Sequence, residues 1–425
     1  FGGILLGAHV GFGLVADGLS QVLLASIGMV LYASALVGAG SLSDDRDYRH
    51  FVSLLIVSLA GMNAMVLLSD FFSLYVFVEV TAVASFILIA MRRNLLAIEG
   101  AFRYLILSAV ATAAMLTALG LMLFASGGTG FQTERVCLTG RSTLCQVGLV
   151  LFIVGLFIKG GMVPFHGWLP GAYSASPSAV SVLLAGIVTK ASGIYALIRI
   201  VSSVYTPNDR LSMVLLVAGS VSIIVGAVAA MGQTDLKRMF AFSSISQVGY
   251  IVLALGADSR LGIAAATFHL FNHATFKSLL FVNSAAVESR LGTTDMGRMG
   301  GIAGKMPITG ATSTIAMLSA AGIPPFAGFW SKLLIIVALW QSSHEVFAVI
   351  AVLASLLTLA YFLVMQQKAF FGKPATEVLT LTEAKGDFLV PAIFLALVTI
   401  LAGVFFPFLI DSPLSFLALS QALPW

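Results

Sequence analysis

The stretch FIKGGMVPFHGWLP, Phe157 to Pro170, places a lysine inside an apolar run and follows it at once with two glycines and a proline. The apolar run favours a helix, and Gly160, Gly161 and Pro164 should break it. A related stretch lies further along the chain. GMVPFHGW, Gly161 to Trp168, returns as GIPPFAGF, Gly322 to Phe329, with glycine, proline, phenylalanine and glycine in matching places and an aromatic residue at each end. The offset is 161 residues, and the second copy carries its break at Pro324 and Pro325.

The rest of the chain says what kind of helix is being broken. Of 425 residues, 59% are hydrophobic and 9% charged, and the mean hydropathy is +1.04. Too little polar surface remains to coat a soluble globule of this length, so the fold class is an all-α polytopic membrane protein. Apolar runs of about 18 residues or more cross a hydrocarbon core of about 30 Å as helices. About twelve such runs are legible, near 14–40, 51–69, 71–91, 100–126, 146–168, 178–204, 211–231, 239–257, 261–287, 307–340, 346–371 and 388–410. Five spans separate the two broken motifs, and an odd number inserts the second copy upside down. The expected organisation is an N-terminal segment with the first span (1–49), a five-helix repeat (50–205), its inverted counterpart (206–372), and a final span and tail (373–425). Inverted repeats with glycine- and proline-interrupted helices in matching positions point to a transport pathway near the membrane midplane. The backbone groups freed at such breaks need protein or water partners, so these helices should line a hydrated interior.

The charges sort by side. Twelve basic residues, including Arg46, Arg49, Arg92, Arg93, Lys237 and Arg290, fall on one side if loops alternate, and five, including Arg135, Arg199 and Arg260, on the other. The positive-inside tendency makes the first side cytoplasmic. The net charge of +4 is therefore a matter of topology and does not point to nucleic acid. Five basic residues remain inside spans: Arg103, Lys159, Lys190, Lys277 and Lys332. Among the acids only Glu79 lies near the middle of a span. Each such group is expensive in a membrane, at least about 2.5 kcal/mol at a helix centre on insertion scales, and is functional by default. Lys159 lies too deep to snorkel easily to the interface. Arg103, near a cytoplasmic end, either anchors there or steadies Glu79 or a neighbouring carbonyl.

Cys137 and Cys145 share the outside loop FQTERVCLTGRSTLCQ, where an oxidising compartment permits a disulfide and the alternative is two inert thiols. Without CxxC or CxxCH they cannot alone hold an iron–sulfur cluster or a c-type haem. No cofactor is expected. His269 and His273 stand at i, i+4 with Lys277 one turn further on the same face. That stripe suits a proton wire, since histidine titrates near neutrality, or hydrogen-bonded packing. It is also half of a zinc site, but no third ligand is visible, and no metal is expected. His166, beside the first break, is either a side entrance from the cytoplasm or a cap for freed carbonyls. The chain opens on Phe1 with no methionine or signal-peptide pattern, so sequence before it is expected.

At this point several motifs in order resemble one family: FVEVTAVASFIL around Glu79, FIKGGMVPFHGWLPGAYSASPSAVSVLLAGIVTK through Lys190, TDLKRMFAFSSISQVGY, FHLFNHATFKSLLF and AGIPPFAGFWSK. They look like the antiporter-like proton-translocating subunits shared by respiratory complex I, Mrp-type sodium/proton antiporters and membrane-bound hydrogenases. The resemblance runs from about residue 14 to 372. It implies a fold of about fourteen helices with two inverted five-helix repeats, of which the first one or two helices fall before this chain. No long lateral amphipathic helix follows the last span, so the longest complex I member is a poor fit. Carried over by position, the resemblance assigns a proton pathway to Glu79, Lys159, Lys190, His269, His273, Lys277 and Lys332. It implies other membrane subunits as partners, a multi-pass place in a prokaryotic cytoplasmic membrane, and protons, with or without Na+, as cargo. Some relatives carry glutamate where this chain has Lys332.

The physics fits that assignment. Burial penalises an ammonium and a neighbouring carboxylate restores it, so Lys159 paired with Glu79 holds a proton that it releases when the pair opens. The expected function is that of a proton-translocating subunit of a larger membrane complex. The alternatives are a stand-alone transporter of a small solute and a structural membrane subunit.

Overall fold

The computed structural model describes residues 3–5, 8–10, 13–204 and 209–410; the tail beyond 410 lies outside the described residues. A short antiparallel pair, β1 (Gly3–Leu5) and β2 (Ala8–Val10), precedes an otherwise helical chain. The first half holds α1 (Gly18–Ser41), α2 (Asp45–Leu67), α3 (Phe71–Ala90), α4 (Leu95–Ser126), α5 (Phe131–Thr139), α6 (Thr143–Gly160), α7 (Leu169–Ala175), α8 (Ser178–Leu183) and α9 (Ala196–Ser203). The second holds α10 (Asp209–Met231), α11 (Leu236–Gly256), α12 (Arg260–Leu291), α13 (Ile302–Lys305), α14 (Pro307–Ala321), α15 (Ala327–Gln341), α16 (Glu345–Met365) and α17 (Gly386–Ile410).

Short polar residues start these helices, as the capping preference requires. The side chains of Asp17, Asp44, Asp70, Asn94, Asp235 and Ser259 each accept a backbone N–H from the first turn that follows. Among the described residues, ten helical stretches are long and apolar enough to cross a membrane. Two further crossings are less uniform: α12, 32 residues long with polar side chains along it, and the interrupted pair α14 and α15.

The hydrophobic faces point outward. Val214, Val217, Val221, Ile224 and Val228 of α10 are exposed at helical spacing, as are Ile98, Phe102, Ile106 and Val110 of α4. Lipid covers such stripes. The most polar helix, α12, is buried along most of its length and packs against α1, α8, α11, α14, α15 and α17. The polar groups are thus gathered on the central helices, and the rim is greasy.

Both breaks fall where the repeat placed them, with the same cap. Gly161 and Gly322 end α6 and α14 in the left-handed region, at φ 68° and 84°. In each, the glycine N–H and the next N–H fold back onto the carbonyls of the last turn, Gly161 to Ile158 and Met162 to Phe157, Gly322 to Leu318 and Ile323 to Leu318. The Val163–Pro164 and Pro324–Pro325 peptide bonds are cis.

Cys137 and Cys145 are bonded to each other, with Cα atoms 6.3 Å apart. On the same loop Glu134 is buried, and burial holds its carboxyl above the usual range, while a hydrogen bond from Ser126 Oγ, 2.6 Å, opposes that shift. The charge count puts this loop outside. An impermeant thiol reagent applied after reduction should therefore label it from the outer face only, and labelling confined to the cytoplasmic face would reverse the topology.

Candidate functional site

Two helices bring the first charges together. Glu79, midway along α3, pairs with Lys159 in the last turn of α6 at 2.7 Å. The lysine side chain is fully buried, and the glutamate is 24% exposed toward an apolar groove lined by Leu54, Val57, Val76, Val80 and Val83. On α4, Thr112 Oγ1 donates to Glu79 Oε1 at 2.8 Å, and Lys159 Nζ donates to Ser108 Oγ at 2.6 Å. Four polar groups from three helices therefore satisfy one another in an otherwise apolar layer.

Lys190 sits inside an irregular helix. Between α8 and α9 the backbone runs as two π-helical pieces, Leu184–Val188 and Lys190–Tyr195. The second lies hard against the first break: a Cβ on Gly193 would stand 2.4 Å from the Gly160 backbone, so only glycine permits this contact. That approach sets the two lysine-bearing helices side by side. Lys190 Nζ donates to Thr189 Oγ1 at 2.9 Å and Tyr173 OH at 3.3 Å, and lies 5.5 Å from the Tyr173 ring centroid. The aromatic rings of Tyr104, Trp168 and Tyr173 bridge from the Lys159 layer to this one.

On α12, Lys277 Nζ donates to the Phe240 carbonyl at 3.0 Å. His273 is buried with neither ring nitrogen bonded among the described residues, and lies within electrostatic reach of Lys190 and Lys277. His269 shares a 2.9 Å hydrogen bond with Ser331 Oγ and feels the Lys332 charge. Lys332 Nζ turns back across the second break and donates to the carbonyls of Ala320 and Ala321, 2.9 and 3.3 Å away, at the end of α14. It also stands 4.7 Å from the Tyr250 ring centroid. Of the seven residues singled out from the sequence, Lys159, Lys190, His269, His273, Lys277 and Lys332 are buried, and Glu79, partly exposed, stands at the Lys159 end of the series. The imidazole nitrogens of His269 and His273 that have no partner among the described residues are the kind of buried atoms that internal water satisfies.

Other expectations change. Arg103 pairs with Glu99, 2.5 Å away on its own helix, and its side chain is 58% exposed; it does not reach Glu79. Lys237 and Arg199, placed at loop and span ends by the sequence, are buried, because each has an acid from a distant helix to hold it: Glu288 for Lys237 and Asp17 for Arg199. His166 is half-buried with Nδ1 unbonded, and the Ile158 carbonyl, which already accepts the Gly161 N–H, takes its second bond from Trp168 Nε1. The hydroxyls that complete the series, Ser108, Thr112, Tyr173 and Thr189, were not singled out. A signal for two of them existed: the 161-residue offset carries Ser108 and Thr112 onto His269 and His273, and Glu79 onto Phe240, whose carbonyl receives Lys277.

Comparison with known proteins agrees with this architecture. Residues 69–358 match the family model described as NADH:quinone oxidoreductase/Mrp antiporter, transmembrane. The chain is 34% identical over 441 aligned positions to NADH-quinone oxidoreductase subunit N of Desulforudis audaxviator, covering 98% of this chain and 85% of that protein. It is 30% identical over 401 residues to a Na(+)/H(+) antiporter subunit of Alkalihalophilus pseudofirmus, covering 93% and 81%. Among solved structures, the Mrp complex from Dietzia sp. contains a chain that superposes with a TM-score of 0.88 at 26% identity, covering 96% of this chain and 84% of that one. An archaeal membrane-bound sulfane sulfur reductase contains another, with a TM-score of 0.85 at 29% identity, covering 92% and 65%. The chain belongs to the NADH:quinone oxidoreductase/Mrp antiporter transmembrane family.

Proposed function

We propose that this chain is a proton-translocating subunit of a multi-subunit, energy-transducing membrane complex, working beside other membrane subunits. The observation that carries the proposal is the buried series of amines and imidazoles that begins at the Glu79–Lys159 pair. Such groups exchange protons, and they offer little that would select an organic solute. Lys159 holds a proton while Glu79 is beside it and passes it inward when the pair separates. Lys190, His273, Lys277 and His269 relay it, with water bridging the unbonded imidazole nitrogens, and Lys332 hands it on at the second break. The two repeats, 50–205 and 206–372, each contribute one broken helix to this route. Protons enter beside the first break in this scheme and leave beside the second.

The chain's own residues move protons but release no chemical energy, so the driving reaction belongs to partner subunits. Reconstitution into vesicles with a pH-sensitive dye, alone and with its partners, tests this. Proton movement in the assembled complex, lost when the series is cut, is the expected result. Solute uptake by the chain alone would make it a stand-alone transporter, and an assembly whose proton movement ignores the series would leave it a structural subunit.

A further inference from the structure

The relay described above ends, on α12, at Lys277. Yet the same face of α12 carries on toward the basic side of the protein. Lys277, Phe281, Ser284 and Glu288 follow at intervals of three or four residues and so lie in one row. At the far end of that row a cleft of about 540 Å³ opens among Ser41, Asp47, Arg92, Ser178, Glu288 and Ser289. Glu288 is part of its lining. The carboxylate, 17% exposed, accepts from Arg92 at 2.6 Å, from Lys237 at 2.5 Å and from Ser178 Oγ at 2.5 Å. Lys237 is buried beneath it and also donates to Ser178 Oγ at 3.0 Å. One turn inward, the Ser284 hydroxyl is buried with no protein partner among the described residues, which marks a place for water.

Between Ser284 and Lys277 stands Phe281. It is fully buried, its ring 6.0 Å from that of Tyr173 and 5.7 Å from that of Phe240, both nearly edge-on. These two aromatics are also the partners of the relay lysines, since the Tyr173 hydroxyl receives Lys190 and the Phe240 carbonyl receives Lys277. Phe281 and the two rings packed on it thus lie between Ser284 and Lys277 along the row, and the Tyr173 hydroxyl ties this cluster to Lys190.

We propose that Glu288 and Ser284 form a cytoplasmic water entrance to the α12 row, closed by the Phe281–Phe240–Tyr173 plug. This entrance is additional to the one beside the first break and rests on the proton-transport reading. Arg92 and Lys237 hold the Glu288 carboxylate charged at the mouth, so the mouth stays polar and hydrated. The plug keeps the cleft and the interior from joining except when a relay lysine releases its partner.

Water access can be read without measuring transport. Both cysteines are consumed in one disulfide, so an introduced thiol is the only free one in this chain. In membranes containing the assembled complex, Ser284→Cys should react with a small impermeant methanethiosulfonate from the cytoplasmic face and lose that reaction when the reagent is on the opposite face. Ser278→Cys, inward of the plug, should be protected, and Phe281→Ala, or the milder Phe281→Leu, should remove the protection and make the membrane passively leaky to protons. A Ser284→Cys thiol that resists the cytoplasmic reagent overturns the entrance. A Ser278→Cys thiol that reacts as fast as Ser284→Cys with Phe281 in place overturns the plug. If the labelling follows expectation in a complex that moves no protons, the entrance stands and the transport reading falls.

Discussion

Lys159→Ala, assembled with its partners, is expected to move protons at no more than the background rate, and Glu79→Gln to fall nearly as far. The reason is in the geometry of the pair. Lys159 is completely buried, 2.7 Å from Glu79, and its remaining bond is to the neutral hydroxyl of Ser108. Glu79 is the nearby charge that makes an ammonium tolerable there, and removing one member of a buried pair typically costs about 3–5 kcal/mol while the other stays charged. In Glu79→Gln the lysine sheds its proton instead of bearing that cost, and the switch is left in its unloaded state. In Lys159→Ala the first carrier is gone and Ser108 faces a gap. Proton uptake by vesicles holding the assembled complex measures both, with membrane insertion and subunit association checked in parallel. A correctly assembled Lys159→Ala complex that pumps at the wild-type rate would remove the pair from the mechanism.

The second large effect is expected at Lys332, where the two halves differ. Glu79 maps by the repeat offset onto Phe240, and among the described residues no acid pairs with Lys332. Its ammonium is held by the carbonyls of Ala320 and Ala321, at the end of α14 where the helix dipole favours a cation. Ala320 is also the position onto which the offset carries Lys159, so the two lysines reach equivalent places from opposite sides of their breaks. Lys332→Leu presents no proton carrier and leaves those carbonyls unpartnered, so transport should be lost. Lys332→Glu can still donate to the same carbonyls as the protonated acid and should retain part of the activity, in keeping with relatives that carry glutamate there. If the leucine variant, assembled with its partners, translocates protons at the wild-type rate, Lys332 is a packing residue and the exit lies elsewhere.

Much of this molecule is legible along the chain because a membrane imposes a simple code. Apolar runs of spanning length, separated by capping aspartates and glycines, specify the crossings, and a charge within such a run stands out against its background. Glu79, Lys159, Lys190, Lys277 and Lys332 were visible for that reason, and the matched Gly161 and Gly322 motifs located both breaks. What the tertiary structure decided is how each charge is satisfied. A serine, threonine or tyrosine costs so little in an apolar run that Tyr173 carries no signal, and Ser108 and Thr112 none beyond the repeat offset, until a lysine is found within 3.3 Å of them or of their partner. Arg103 falls within an apolar run, near its cytoplasmic end, and is exposed, whereas Lys237 lies at the start of a helix and is buried. The difference is one that sequence distance conceals: Glu99 is a turn away from Arg103 on the surface, while Glu288 comes from 51 residues downstream to meet Lys237 inside. Burial of a charge depends on who arrives to pair with it, and that is settled by packing between helices.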